Sequence, residues 1–101
     1  MITVEIKRGD GGFCTLCATG HADYAPRGQD IVCASVSALI GAFCVFLEQR
    51  AKGVRLKDDG DTLSALWALD ERTEQALDML VLGLGGVEDQ YPEHLKLSKN
   101  F

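Results

Sequence analysis

Residues 30–53 read DIVCASVSALIGAFCVFLEQRAKG, and this stretch decides the fold. No charged residue falls between Asp30 and Glu48. Asp30 is the type of residue that caps a helix N-terminus. Val32, Val36, Leu39, Ile40, Phe43 and Leu47 recur at helical spacing and make a broad apolar face. Ala34, Ser35, Ala38, Gly41 and Ala42 are small, which lets a sheet or a second helix approach closely. Gly53 closes the run, so the pattern predicts a helix from Asp30 to about Lys52. As a helix, Ile31 to Leu47 is roughly 26 Å long, short of the ~30 Å hydrocarbon core of a bilayer. The stretch therefore reads as a buried helix of a folded domain rather than a membrane span. Being apolar on all sides, it is expected to be covered in part by a subunit partner.

Upstream, Ile2, Val4 and Ile6 alternate with Thr3, Glu5 and Lys7, the pattern of a half-buried strand. Gly9 to Gly12 is a turn and Phe13 to Thr19 the return strand. A loop from Gly20 to Gly28, holding His21, Tyr24 and Pro26, leads into the helix. Downstream, Val54–Lys57 and Leu63–Leu69 form a second hairpin about a turn at Asp58–Asp61. Trp67 in that hairpin reads as core or dimer contact. Asp70 caps a second helix with Ala76, Leu77, Leu80, Val81 and Leu84 at helical spacing, and Gly85-Gly86 is expected to stop it. After Tyr91-Pro92, residues Leu95 to Leu97 supply a last strand. The order ββαββαβ predicts an α+β fold. Residues 1–101 would form one small layered sandwich with a mainly antiparallel sheet and two helices.

A chain of 101 residues, 47% hydrophobic and 25% charged, supplies one core. A net charge of −5 with no Lys/Arg cluster argues against direct nucleic-acid binding. It suits a basic peptide or protein better. Glu5, Lys7 and Arg8 interrupt any signal-peptide core, so a cytoplasmic location is expected. In that reducing compartment the four cysteines read as free thiols, metal ligands or a nucleophile rather than disulfides.

Cys33 falls at the third position of the helix. There the unpaired backbone N–H groups and the helix dipole favour negative charge. The thiolate is the nucleophilic form, so this placement has a chemical use. His21 lies in the loop entering the same helix end, within reach to take the thiol proton and later protonate a leaving amine. The N–H groups of the first turn are placed to stabilise an oxyanion. Asp30 either caps the helix or orients His21. Ser37, one turn beyond Cys33 on the same face, either bonds near the thiol or bonds back to the helix backbone. The plainer alternative makes Cys33 a small core residue and His21 a solvated loop residue.

The two blocks Gly20-His21-Ala22 and Gly28-Gln29-Asp30-Ile31-Val32-Cys33-Ala34-Ser35-Val36-Ser37 resemble the signature of the ribosomal-processing cysteine proteases. That pattern is Gly-His-Ala, a short loop, then Gly-x-Asp-Ile-Val-Cys-Ala-Ala-Val-Ser. The length, element order and Tyr91-Pro92 ending agree with the family as well. The resemblance implies a cysteine endopeptidase with no cofactor. Its substrate would be the N-terminal extension of bacterial large-subunit ribosomal protein twenty-seven, and the enzyme would be a homodimer. It places the nucleophile at Cys33, the base at His21, supporting roles at Asp30 and Ser37, and a substrate-binding loop at Gly20, Ala22, Tyr24 and Gly28. Ser35 departs from the family's second alanine, and Cys14 and Cys17 lie outside its pattern. The segment Asp23 to Arg27 is the part expected to vary and to touch substrate.

Two rival readings remain. Cys14, Cys17, His21 and Cys33 are ligand types that zinc uses, although a strand over residues 13–19 would turn the two nearer thiols to opposite faces. A non-catalytic ribosome-associated binding protein would keep the same fold. A redox role for Cys14 and Cys17 fits poorly, because such a pair opens a helix. Cys44 reads as core, and His94, in a terminal segment after Pro92, as exposed.

Overall fold

The alternating N-terminal residues form the centre of a sheet. The computed structural model describes residues 1–26 and 28–101. Its elements are β1 (Ile2–Arg8), β2 (Phe13–Thr19), α1 (Ile31–Arg50), β3 (Arg55–Asp58), β4 (Thr62–Ala68), α2 (Glu71–Gln90) and β5 (Leu95–Lys99). Arg27, in the segment expected to vary, lies outside the described residues. The strands form one sheet in the order β3-β4-β2-β1-β5. Every neighbouring pair is antiparallel except β1 and β5, which are parallel. The fold is thus an α+β sandwich with a mixed, mainly antiparallel sheet, in the predicted element order.

Pairing puts Ile6 opposite Leu16, Leu16 opposite Ala65 and Cys14 opposite Trp67. Because strand side chains alternate between faces, these residues share one side of the sheet. With Ile2, Val4 and Leu95 they are buried beneath the helices. From α1, Val32, Val36, Ile40, Phe43 and Leu47 join them, and from α2, Leu77, Leu80 and Leu84. Trp67 is fully buried and meets Phe43 edge-on with ring centroids 5.0 Å apart, which settles it as a core residue. Arg8 at the end of β1 is tied to Glu74 of α2 at 2.7 Å.

One expectation for the helices is corrected. The second helix does not stop at Gly85-Gly86 but continues to Gln90, with the Tyr91 N–H closing on the Val87 carbonyl. The glycines weaken the helix locally, but Leu84 is fully buried and Val87 packs against the core on either side of them. Tertiary burial therefore carries the helix through. Gly83, just before the pair, gives α1 room to approach, since a Cβ there would lie 3.0 Å from Leu39 Cδ2.

The first helix is buried on one face only. Ile31 is 51% and Val45 52% exposed, and Ala34, Ala38 and Ala42 also face outward. Its length and composition would allow a membrane span. Its Val32–Leu47 stripe nevertheless sits in the same core as the sheet.

Candidate active site

Asp30 sets the geometry at the start of α1. Its Oδ1 accepts the Cys33 N–H at 2.9 Å, the N-cap bond expected from its position. Its Oδ2 accepts the Tyr24 N–H at 3.1 Å and the Ala25 N–H at 3.5 Å. One carboxylate therefore caps the helix and holds the preceding loop. Of the two roles open to Asp30, capping is the one observed, and both its oxygens face backbone donors rather than His21. The Cys33 N–H, expected among the oxyanion donors, is already engaged by this cap.

The N–H bonds, led by that of Cys33, pull the Asp30 carboxyl below its usual range. The stability this contributes is present above the ordinary carboxylate value of ~3.9 and is lost as pH falls from there through the lower folded-state value. Asp30→Ala is expected to lower Tm by about 4–8 °C at neutral pH. The difference from wild type should shrink in thermal melts as pH drops below about 4. A constant difference across that range would show that the charge is not what the cap uses.

The loop brings a donor to the thiol. The Ala22 N–H points at Cys33 Sγ, 3.3 Å away. Ala22 itself is 1% exposed, so its methyl group belongs to the core and only its peptide faces the site. Gly20 begins the loop at φ +86°, and a Cβ there would collide with the Met1 carbonyl oxygen. Gly20→Ala is therefore expected to cost about 1–3 kcal/mol. It should also lower peptidase activity, because the displaced segment carries His21. Urea melts and initial rates check this, and an unchanged melt would mean that the backbone relaxes without strain.

His21 is 68% exposed, and its Nε2 stands 4.0 Å from Asp61 Oδ1, on the turn between β3 and β4. That turn is internally braced, with Asp59 accepting the Asp61 and Thr62 N–H groups and Asp58 accepting that of Gly60. The Asp61 carboxylate is left facing outward beside His21. An open groove of about 850 Å³ runs between loop and turn, lined by His21, Asp23, Gly28, Asp30, Cys33, Ser37 and Asp61 among others. A second hollow carries it on past Gly20 toward Gly41.

Of the eight residues predicted for the site, His21, Cys33, Asp30, Ser37, Gly20 and Gly28 thus line one continuous surface. Ala22 contributes its backbone. Tyr24 turns instead toward the C-terminal segment, where its ring meets Tyr91 and His94 edge-on at 5.3 Å. Ser37 is exposed, and it is Ser35 that bonds back to the helix, at the Ile31 carbonyl. Asp61 was not singled out by the sequence, because nothing local places the β3–β4 turn opposite His21. His94, expected to be exposed, is half-buried and bonded to the Ala22 carbonyl.

The proposed zinc tetrad does not form. Cys14 is buried in the core opposite Trp67, and burial pushes its thiol up. Cys17 pairs with Ser64, on the opposite side of the sheet by strand alternation. Among the described residues no group of three His, Cys, Asp or Glu is placed to hold a metal. All four cysteines are free thiols. Cys44 packs against the core, and burial raises its thiol likewise.

A small thiol at a helix N-terminus, a backbone donor aimed at it, and an imidazole on the same open groove suit nucleophilic attack on an extended peptide. Comparison with known proteins agrees. The family profile for cysteine protease Prp matches residues 1–96. The ribosomal processing cysteine protease Prp of Staphylococcus aureus is 31% identical, with 97% of this chain and 98% of that protein covered. The protein of the same name from Bacillus subtilis is 30% identical over 99% of this chain and 98% of its own length. A crystal structure of the S. aureus protease with a covalently linked product peptide superposes with a TM-score of 0.81. It is 28% identical, and the match covers 99% of this chain and all of that one.

Proposed function

The chain belongs to the cysteine protease Prp family of ribosomal processing peptidases, and we propose that it removes the N-terminal extension of large-subunit ribosomal protein twenty-seven. The observation that carries this reading is the Ala22 N–H held on Cys33 Sγ in a groove that also holds His21. In the proposed mechanism, substrate lies extended along the groove between the loop that carries His21 and the β3–β4 turn. His21 removes the Cys33 proton and Sγ attacks the scissile carbonyl carbon. The C–N bond then breaks as His21 protonates the leaving amine, and water hydrolyses the thioester. The Nε2 edge of His21 faces Asp61, which leaves Nδ1 for the thiol.

The acidic lining, with Asp23 and Asp61 on its rim, supports a cationic ribosomal substrate. A cytoplasmic homodimer is part of the same proposal. The outward apolar residues Ile31 and Val45 on α1, and Met79 and Leu82 on α2, support a partner subunit. The test is to mix the protein with the extended ribosomal protein and read the product masses. One clipped product supports the proposal. Binding without cleavage would favour the non-catalytic reading.

A further inference from the structure

The C-terminal segment reaches across the fold to the loop that carries His21. His94 Nδ1 lies 2.7 Å from the Ala22 carbonyl oxygen. An oxygen there accepts only, so Nδ1 carries the proton and donates. Ala22 thus has its carbonyl held by His94 and its N–H directed at Cys33 Sγ. The next residue, Asp23, has φ +54°, the only positive value for a non-glycine among the described residues. Aspartate adopts this left-handed conformation more readily than most residues, at modest cost.

His94 is itself fixed from three sides. Its N–H donates to the Tyr91 carbonyl at 3.0 Å and its carbonyl accepts the Ile2 N–H at 2.9 Å. Its ring meets Tyr24 edge-on. The Asp30 cap restrains Tyr24 and Ala25 from the helix side, the Met1 ammonium pairs with Asp23 at 3.6 Å and the Ala22 methyl is buried; the His94 bond adds the contact that orients the Ala22 peptide itself.

We propose that His94 is a positioning residue for the protease site, its Nδ1–H bond to the Ala22 carbonyl keeping the Ala22 N–H on Cys33 and His21 at the groove. This rests on the peptidase reading for its kinetic readout. Its chemical readout, the alkylation rate of Cys33 by iodoacetamide at one fixed pH, does not. Peptide mapping separates Cys33 from the other three thiols.

Three variants divide the bond from the packing. His94→Phe keeps a ring against Tyr24 but donates nothing, and His94→Ala removes both. His94→Asn carries an amide N–H near the position of Nδ1. Both Phe and Ala variants are expected to lose about ten- to hundredfold in kcat with KM within about threefold. Their Cys33 alkylation should slow by about three- to tenfold. The Asn variant should recover most of both. A Phe variant with wild-type kcat and alkylation would overturn the proposal. So would an Asn variant that falls as far as the Phe variant while melting at the wild-type temperature. If wild-type protein cleaves nothing, the peptidase reading fails, and the alkylation series still decides the role of His94.

Discussion

Cys33→Ala is expected to reduce peptide cleavage by at least about 10⁴-fold, to the background of the assay, while leaving the domain folded. The side chain is small and half-buried at the start of α1, so its loss creates little cavity. What it does remove is the acceptor of the Ala22 N–H. That loss is worth about 1 kcal/mol, or a Tm lower by about 4–8 °C. Cys33→Ser separates the two effects. Its hydroxyl still accepts from Ala22, so Tm should return toward wild type, whereas cleavage should stay lost because the hydroxyl remains protonated. Substrate should still bind both variants. A Ser variant that cleaves within about tenfold of wild type would place the chemistry elsewhere.

His21→Ala is expected to lower kcat by about 10²–10⁴-fold and to leave stability nearly unchanged. The ring is 68% exposed, and the Asp61 carboxylate beside it is 91% exposed. An ion pair that open to water contributes little to folding. The variant's Tm should therefore stay within about 4 °C of wild type. A loss of rate without a loss of stability would mark a residue kept for chemistry. A His21→Ala protein that cleaves at the wild-type rate would remove His21 from the mechanism. One that unfolds would make it a structural loop residue.

Much of this architecture was legible in local pattern. The strict alternation of Ile2, Val4 and Ile6 needed no tertiary information, because one face of a sheet is buried and the other is not. Asp30 and Asp70 marked both helix starts, and both side chains accept the N–H expected of a cap. The blocks around His21 and Cys33 pointed to one groove, and both residues line it. Pattern failed where distant burial overrode a local preference. Gly85-Gly86 looked like a stop, yet Leu84 and Val87 hold that turn of α2 against the core. The uncharged α1 buries one stripe against the sheet, and small and apolar residues line its outer face, the face expected to meet a subunit partner.

The site shows the same division. That Asp30 caps was readable from spacing, but that its second oxygen also holds Tyr24 and Ala25 depends on how the loop folds back. Tyr24 seemed placed for substrate because it sits in the loop. In the fold it finds two aromatic partners, Tyr91 and His94, that lie about 70 residues further along the chain. Asp61 faces His21 only because β3 and β4 pair at that edge of the sheet. Contacts of this range leave no periodic trace in the sequence.

If Cys33 alone among the four free thiols is the nucleophile, an electrophilic peptide, a chloromethyl ketone built on the extension of the ribosomal protein, will single it out when the adduct is mapped by mass. One adduct per chain on Cys33, slowed by unmodified substrate, is the predicted result. Labelling spread over Cys17 and Cys44 at rates like that of Cys33, and indifferent to substrate, would contradict it.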